Sequence, residues 1–110
     1  MADWKPNFLA EAEDDLNSLN GTARKQVVKA ITKVAQNPLP QSEGGYGKPL
    51  GNKNGNNLTG CNKIKLLDLG LRVVYKLVRA ENKMTVIVIS ARADNKVYEE
   101  AEKRIKKYGL

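Results

Sequence analysis

The sequence predicts an α+β domain in which a short N-terminal strand and a helical hairpin pack on a small antiparallel sheet, followed by a C-terminal helix. Three observations support this class. Apolar residues recur at helical spacing early in the chain, alternate with charged residues in the second half, and return to helical spacing at the end. Because 110 residues supply one hydrophobic core, we expect a single domain over residues 1–110.

The N-terminal part predicts a strand and two helices. Residues 4–8 are extended in character but contain Pro6, which restricts such a strand to a sheet edge. Apolar side chains then recur at helical spacing up to a stop at Asn20 and Gly21. Thr22 is the expected N-cap of a second helix, which should end before Pro38. Only about two residues, Asn20 and Gly21, separate the two predicted helices, and so short a connection predicts an antiparallel helical hairpin.

The segment from residue 37 to 60 shows neither helical nor strand periodicity. It is rich in glycine, proline and asparagine, which favour turns. We therefore expect a long loop, and long loops in compact domains are usually functional or mobile. The segment also carries Lys48 and Lys53.

The C-terminal half predicts three antiparallel strands and a helix. Residues 63–66 alternate in polarity, the sequence Asp68-Leu69-Gly70 offers a turn, and residues 71–79 alternate again. Residues 84–90 are apolar and β-branched, as expected of a central strand that is covered on both faces. Residues 96–108 then form a helix with an apolar stripe.

The predicted hairpin gathers positive charge on one face of the sheet. A turn at Leu69 and Gly70 places Lys65 opposite Val74 and Lys63 opposite Lys76. Since directly opposed residues share a face, four cations should lie together: Lys63, Lys65, Arg72 and Lys76. The other face is apolar and should pack on the helices. This cationic face is either a site for an anion or the ordinary solvated side of a half-buried sheet.

Composition excludes several kinds of chemistry. The chain has no histidine, so Ser-His and Cys-His nucleophile systems are excluded. Its single cysteine, Cys61, allows neither an internal disulfide nor a zinc cluster and fits a reducing compartment. The sequence shows no apolar run long enough for a membrane span or a secretory signal, so we expect a cytoplasmic protein without membrane association.

Charge is unevenly distributed along the chain. The formal net charge is +7. Residues 1–20 nevertheless carry five acidic side chains and only one lysine, so most of the positive charge lies further along. A basic surface suits nucleic acid or an acidic protein, although it also serves solubility.

Four motifs in order resemble the RelE/ParE superfamily of bacterial toxin–antitoxin toxins. They lie at residues 61–66 (CNKIKL), 70–75 (GLRVVY), 88–92 (VISAR) and 97–105 (VYEEAEKRI). The resemblance spans nearly the whole chain, and it is stronger to RelE-type than to ParE-type members. It implies a RelE-like microbial ribonuclease fold and a ribosome-dependent endonuclease that cleaves mRNA in the A site.

The same resemblance implies a set of functional residues and partners. The catalytic residues carried over by motif are Lys63, Lys65, Arg72, Arg92 and Tyr98. Further RNA contacts are expected at Lys48, Lys53 and Lys76. Ribosomal contacts, including 16S rRNA, are expected at Arg24, Lys25, Lys29 and Lys33, although a solvated helix face is the alternative. The expected partners are the ribosome, mRNA and a cognate antitoxin with an acidic or amphipathic segment. No metal or other cofactor is expected.

Cleavage through the RNA 2′-hydroxyl needs a base, an acid and charge stabilisation at phosphorus. Arg72 and Arg92 suit phosphate contacts, and a lysine among cations, Lys63 or Lys65, is a candidate for a neutral amine. Tyr98 is a candidate to orient the hydroxyl, exchange its proton or stack on a base, although its position on an apolar stripe also fits packing. The sequence assigns neither base nor acid. Two alternatives remain: a ParE-type toxin that inhibits DNA gyrase by binding, and a non-toxic RNA-binding module.

Overall fold

The structure, a computed structural model, describes residues 4–53, 55–91 and 94–110. Its elements are β1 (Lys5–Phe8), α1 (Ala10–Asn17), α2 (Gly21–Ala35), β2 (Lys48–Lys53), β3 (Asn56–Leu66), β4 (Leu71–Val78), β5 (Lys83–Ser90) and α3 (Asp94–Tyr108). The sheet order is β1-β5-β4-β3-β2. β1 runs parallel to β5 and the other neighbours are antiparallel. The predicted α+β class is confirmed.

The helical hairpin forms as predicted, but its second helix begins earlier. Asn20, not Thr22, is the N-cap of α2, since its Oδ1 accepts a hydrogen bond from the Ala23 N–H at 2.8 Å. Asn20 has the extended backbone that an N-cap requires, which leaves Thr22 inside the first turn. Within the described residues, no helix has the length and apolarity needed to cross a bilayer.

The predicted loop over residues 37–60 is wrong in its second part. β2 and the first half of β3 form a hairpin there, and Leu50 and Leu58 are buried in the core. Gly51 and Gly60 have positive φ, and the register of the two strands shifts between Pro49 and Gly51. These irregularities break the alternation on which the sequence prediction depended.

The strand β5 is buried on both faces, as predicted. All its residues from Met84 to Ile89 are buried, but β4 rather than β5 is the middle of the five strands. β1 is an edge strand, as Pro6 indicated, and pairs only with residues 83–86 of β5.

Helices cover both faces of the sheet. On one face the buried Tyr75 hydroxyl donates to the Pro38 main-chain oxygen, just after α2, at 2.8 Å. On the other face Lys76 Nζ donates to the Leu110 main-chain oxygen, just after α3, at 2.7 Å. Val74 shares that second face and is completely buried. The expectation that only one face packs on helices is therefore wrong, because α3 covers the centre of the other.

Candidate nucleic-acid interface

Four cations lie on the sheet face that α3 partly covers. Lys65 is directly opposite Arg72 in the β3–β4 ladder, and Lys48 is directly opposite Lys63 in the β2–β3 ladder. Because opposed residues share a face, and alternate residues of β3 do so too, all four side chains are on one side of the sheet. We call Lys48, Lys63, Lys65 and Arg72 the cationic face.

The predicted register of the β3–β4 hairpin is wrong by two residues. Lys63 lies opposite Val74, and Cys61, not Lys63, lies opposite Lys76. The cause is the turn: Leu67–Leu69 form a single 3₁₀ turn that Gly70 closes at φ 64°. A shift of two preserves the face of every side chain, so the grouping of the cations is unaffected.

The cationic face combines exposed and half-buried charges. Lys48 and Lys65 are exposed, whereas Lys63 and Arg72 are half-buried. In the ladders, Val74 of β4 lies opposite Lys63 and Ser90 of β5 lies opposite Arg72. Positively charged side chains gathered on one side of a sheet suit contacts with the phosphate groups of a nucleic acid.

Ser90 is a member of the site that sequence reasoning missed. It ends β5 directly opposite Arg72 and is half-buried. The available signal was a hydroxyl residue at the end of the apolar run of residues 84–90, two positions before Arg92. Its position places a hydroxyl group beside the cationic face.

Lys76 and Tyr98 are engaged within the protein. The Lys76 ammonium holds the Leu110 carbonyl, so it anchors the residues that follow α3. Tyr98 is only 2% exposed and belongs to the core together with Val97 and Ala101. In this structure the Tyr98 ring is therefore packed, and its face is not presented to an RNA base.

Two predicted residues lie partly or wholly beyond the described part of the chain. Arg92 falls outside the described residues. Lys53 ends β2, and its side chain is likewise outside them.

The predicted ribosome-contacting residues lie on a separate surface. Arg24, Lys25, Lys29 and Lys33 are all exposed on α2. The chain has no Asp or Glu between residues 16 and 42, so the exposed face of α2 is positive without interruption. Since α2 packs on the other side of the sheet, this surface is distinct from the cationic face.

The described residues also limit what the site can use chemically. Cys61 is 1% exposed, and burial raises the pKa of its thiol to about 11, which leaves it inert as a nucleophile. Among the residues that the structure describes, no three His, Cys, Asp or Glu side chains gather to hold a metal ion. Arginine, lysine and hydroxyl groups are the chemical groups of the cationic face.

Comparisons with known proteins agree on one family. The mRNA interferase toxin RelE of Escherichia coli K12 is 30% identical over 99 residues, which is 90% of this chain and 94% of that protein. The mRNA interferase RelE of Shigella flexneri matches with the same identity and coverage. No protein-family model matches the chain.

Solved structures show the same fold. A double mutant of the E. coli toxin RelE in the free state superposes with a TM-score of 0.75 at 27% identity, covering 94% of this chain and 99% of that one. The same toxin in complex with a peptide of its antitoxin RelBc superposes with a TM-score of 0.68 at 25% identity, covering 91% and 95% of the two chains. The identity and coverage of these relatives, together with the fold, show that the chain belongs to the RelE family of toxins.

Proposed function

We propose that this protein is the toxin of a type II toxin–antitoxin pair and cleaves mRNA in the ribosomal A site. The observation that carries the proposal is the cationic face, where Lys65 is directly opposite Arg72 and Lys63 and Lys48 lie on the same side. The similarity to mRNA interferases over 90% of the chain supports it. Translation takes place in the cytoplasm, so this activity requires a cytoplasmic protein.

The chemistry that suits this face is transesterification within the RNA. The 2′-oxygen attacks the adjacent phosphorus and loses its proton to a base, while the bond from phosphorus to the 5′-oxygen breaks and the 5′-oxygen gains a proton from an acid. The products are a 2′,3′-cyclic phosphate and a 5′-hydroxyl end. Arg72 stabilises the negative charge that develops on the phosphoryl oxygens, with Arg92 as its expected partner. Lys63 and Lys65 are the candidates for proton transfer.

In this proposal Tyr98 acts through its hydroxyl group. Its ring is buried, so stacking on a base would require α3 to move. Replacement by phenylalanine keeps the buried ring and removes only the hydroxyl, which makes Tyr98→Phe the informative variant.

We further propose that cleavage requires no metal ion. The positive charge needed at the phosphate is supplied by side chains, and the described residues offer no acidic or sulfur cluster for a cation. Cleavage by wild-type protein should therefore be unchanged by EDTA at concentrations that leave the ribosome intact.

The exposed face of α2 is the proposed contact with ribosomal RNA. It lies on the opposite side of the sheet from the cationic face, so the protein can contact structured RNA and mRNA simultaneously. Charge reversal at Lys29 and Lys33 should weaken ribosome binding and its salt dependence without changing the melting temperature. Reversal at Lys5, an exposed lysine on the edge strand β1, is the matched control.

An antitoxin protein is the second proposed partner. A related RelE toxin has been solved with its antitoxin peptide, and the positive charge of this chain suits an acidic segment. Co-purification with the product of an adjacent reading frame, and recovery of growth when both are expressed, would support this partner.

Primer extension on a defined mRNA, with and without translating ribosomes, tests the activity directly. Wild-type protein should cut within A-site codons only when ribosomes are present. Arg72→Ala should abolish the cuts and Tyr98→Phe should weaken them, whereas Lys5→Ala should leave them unchanged.

Two results would contradict the proposal. If mRNA stays intact in every lane while the protein still arrests growth, the target is not mRNA, and inhibition of gyrase supercoiling becomes the next assay. If neither growth nor mRNA is affected by folded protein, the chain is an inactive RNA-binding member of the fold.

A further inference from the structure

The outer edge of β5 is completed by side chains rather than by a strand. β1 pairs with β5 only as far as Val86. Beyond it, the Ile89 N–H donates to Asp15 Oδ2 at 3.1 Å, and the Ile87 carbonyl accepts from Arg104 Nη1 at 3.0 Å. An acidic residue of α1 and a basic residue of α3 thus satisfy main-chain groups that a longer β1 would have paired.

Arg104 is the centre of this arrangement. Its Nη1 donates to Asp15 Oδ2 at 2.7 Å and its Nε donates to Glu100 Oε2 at 2.8 Å. The Arg104 side chain is only 11% exposed. Burial alone would lower the pKa of Arg104, but the hydrogen bonds to Asp15 and Glu100 raise it overall, so the guanidinium stays charged. Lysine has neither the planar fork nor enough reach to replace these contacts together.

The hydrogen-bond network of Asp15, Glu100 and Arg104 lies between the end of β5, which carries Ser90, and α3, which carries Tyr98. It bonds to β5 at Ile87 and Ile89, one residue before Ser90, which is directly opposite Arg72. It also fixes α3, which carries Tyr98. The helices α1 and α3 lie on opposite faces of the sheet, and Asp15 of α1 meets Arg104 of α3 at this edge, so the network ties α3 to the end of β5.

We propose that Arg104, held by Asp15, is a positioning residue for RNA cleavage. It fixes α3 and the end of β5 together, and this sets Tyr98 and Ser90 relative to the phosphate that Arg72 binds. The inference rests on the proposed nuclease function. Loss of the network should therefore misplace the reacting groups without removing any of them. Such misplacement lowers the rate of RNA cleavage far more than it weakens ribosome binding.

The test measures single-turnover cleavage and ribosome affinity for Arg104→Lys and for Asp15→Asn. Arg104→Lys keeps the charge but loses the fork, and Asp15→Asn keeps an acceptor for the Ile89 N–H. We expect each to slow cleavage roughly ten- to a hundredfold, with affinity changed less than about threefold, at temperatures where the proteins are folded. Hydrogen exchange at the Ile89 amide should accelerate in Arg104→Lys.

The matched control is Lys107→Gln. Lys107 Nζ donates to Glu11 Oε2 at 2.7 Å and so also joins α3 to α1, but it is exposed and touches no main chain of β5. Cleavage by this variant should stay within about twofold of wild type, because exposed ion pairs contribute little.

A double-mutant cycle with Tyr98→Phe separates positioning from general stability. If Arg104 acts through Tyr98, Arg104→Lys should cost much less when Tyr98 is already phenylalanine. Equal costs in both backgrounds would overturn positioning through Tyr98, and wild-type rates in Arg104→Lys and Asp15→Asn would overturn the positioning role as a whole, while wild-type cleavage would still support the proposed function. Absence of cleavage by the wild type would overturn both.

Discussion

Gly47 lies where a single added methyl group would collide with the core. A Cβ atom at this position would lie 2.5 Å from the Tyr75 hydroxyl oxygen and 2.9 Å from Asn62 Oδ1. Both neighbours are buried, and the Tyr75 hydroxyl is fixed by its hydrogen bond to Pro38. Gly47→Ala must therefore displace the segment after α2 or the Tyr75 side chain.

The size of the effect follows from these contacts. Overpacking of a buried site costs about 1–3 kcal/mol, and weakening the hydrogen bond from Tyr75 to Pro38 adds about 1 kcal/mol. We expect Gly47→Ala to lower the free energy of unfolding by about 2–4 kcal/mol, which corresponds to a fall in melting temperature of about 8 °C or more for a domain of this size.

Urea unfolding followed by circular dichroism measures this cost, with Gly21→Ala as the matched control. Gly21 begins α2, and a methyl group added there would meet nothing within 4 Å. Alanine at this position should therefore be neutral or stabilising by up to about 1 kcal/mol.

The double variant of Gly47→Ala and Tyr75→Phe tests whether contact with the Tyr75 hydroxyl causes the destabilisation. Removing the hydroxyl oxygen relieves the closest contact, so Gly47→Ala should cost at least about 1 kcal/mol less in that background. The reasoning is refuted if Gly47→Ala is as stable as Gly21→Ala, or if its cost is the same with and without the Tyr75 hydroxyl.

Three further outcomes are expected. Hydrogen bonds from Lys107 and Tyr108 lower the pKa of Glu11 from 4.5 to about 2. The stabilisation from this contact is therefore complete above about pH 4.5 and is lost as the pH falls towards 2, which an NMR titration of the carboxyl carbon would follow; a midpoint near 4.5 would contradict it. At pH 8 the Cys61 thiol should have about a hundredfold smaller thiolate fraction than a thiol of pKa 9, so iodoacetamide should modify it only after unfolding. Rapid labelling of folded protein would show that Cys61 is accessible. Asn20→Ala removes the cap on the Ala23 N–H and should lower the free energy of unfolding by about 1 kcal/mol, whereas Thr22→Ala should change it less.

Helices and strands were predicted correctly from the sequence wherever apolar residues recur with the regular spacing of a helix or a strand. The helix repeats placed α1, α2 and α3, and the apolar run of residues 84–90 identified a strand covered on both sides. Strand alternation grouped the cations on one face, and this grouping survived a register error of two residues because side chains alternate with a period of two. The hairpin of β2 and β3 was not predicted, because glycines with positive φ interrupt the alternation of polar and apolar residues that identifies a strand.

The fold class, the helices and the common side of the sheet for Lys63, Lys65, Arg72 and Lys76 all follow from the order of residues along the chain, because they depend on the spacing of near neighbours. Three features are visible only in the tertiary structure. The helix α3 covers the centre of the sheet face that carries the cations, and Lys76 Nζ on that face donates a hydrogen bond to the Leu110 main-chain oxygen. At the edge of β5, Asp15 accepts a hydrogen bond from Arg104. Asp15 and Arg104 are far apart along the chain, and no local pattern encodes their contact. It arises because β1 is too short to pair all of β5, which leaves main-chain groups that two helices from opposite faces can reach.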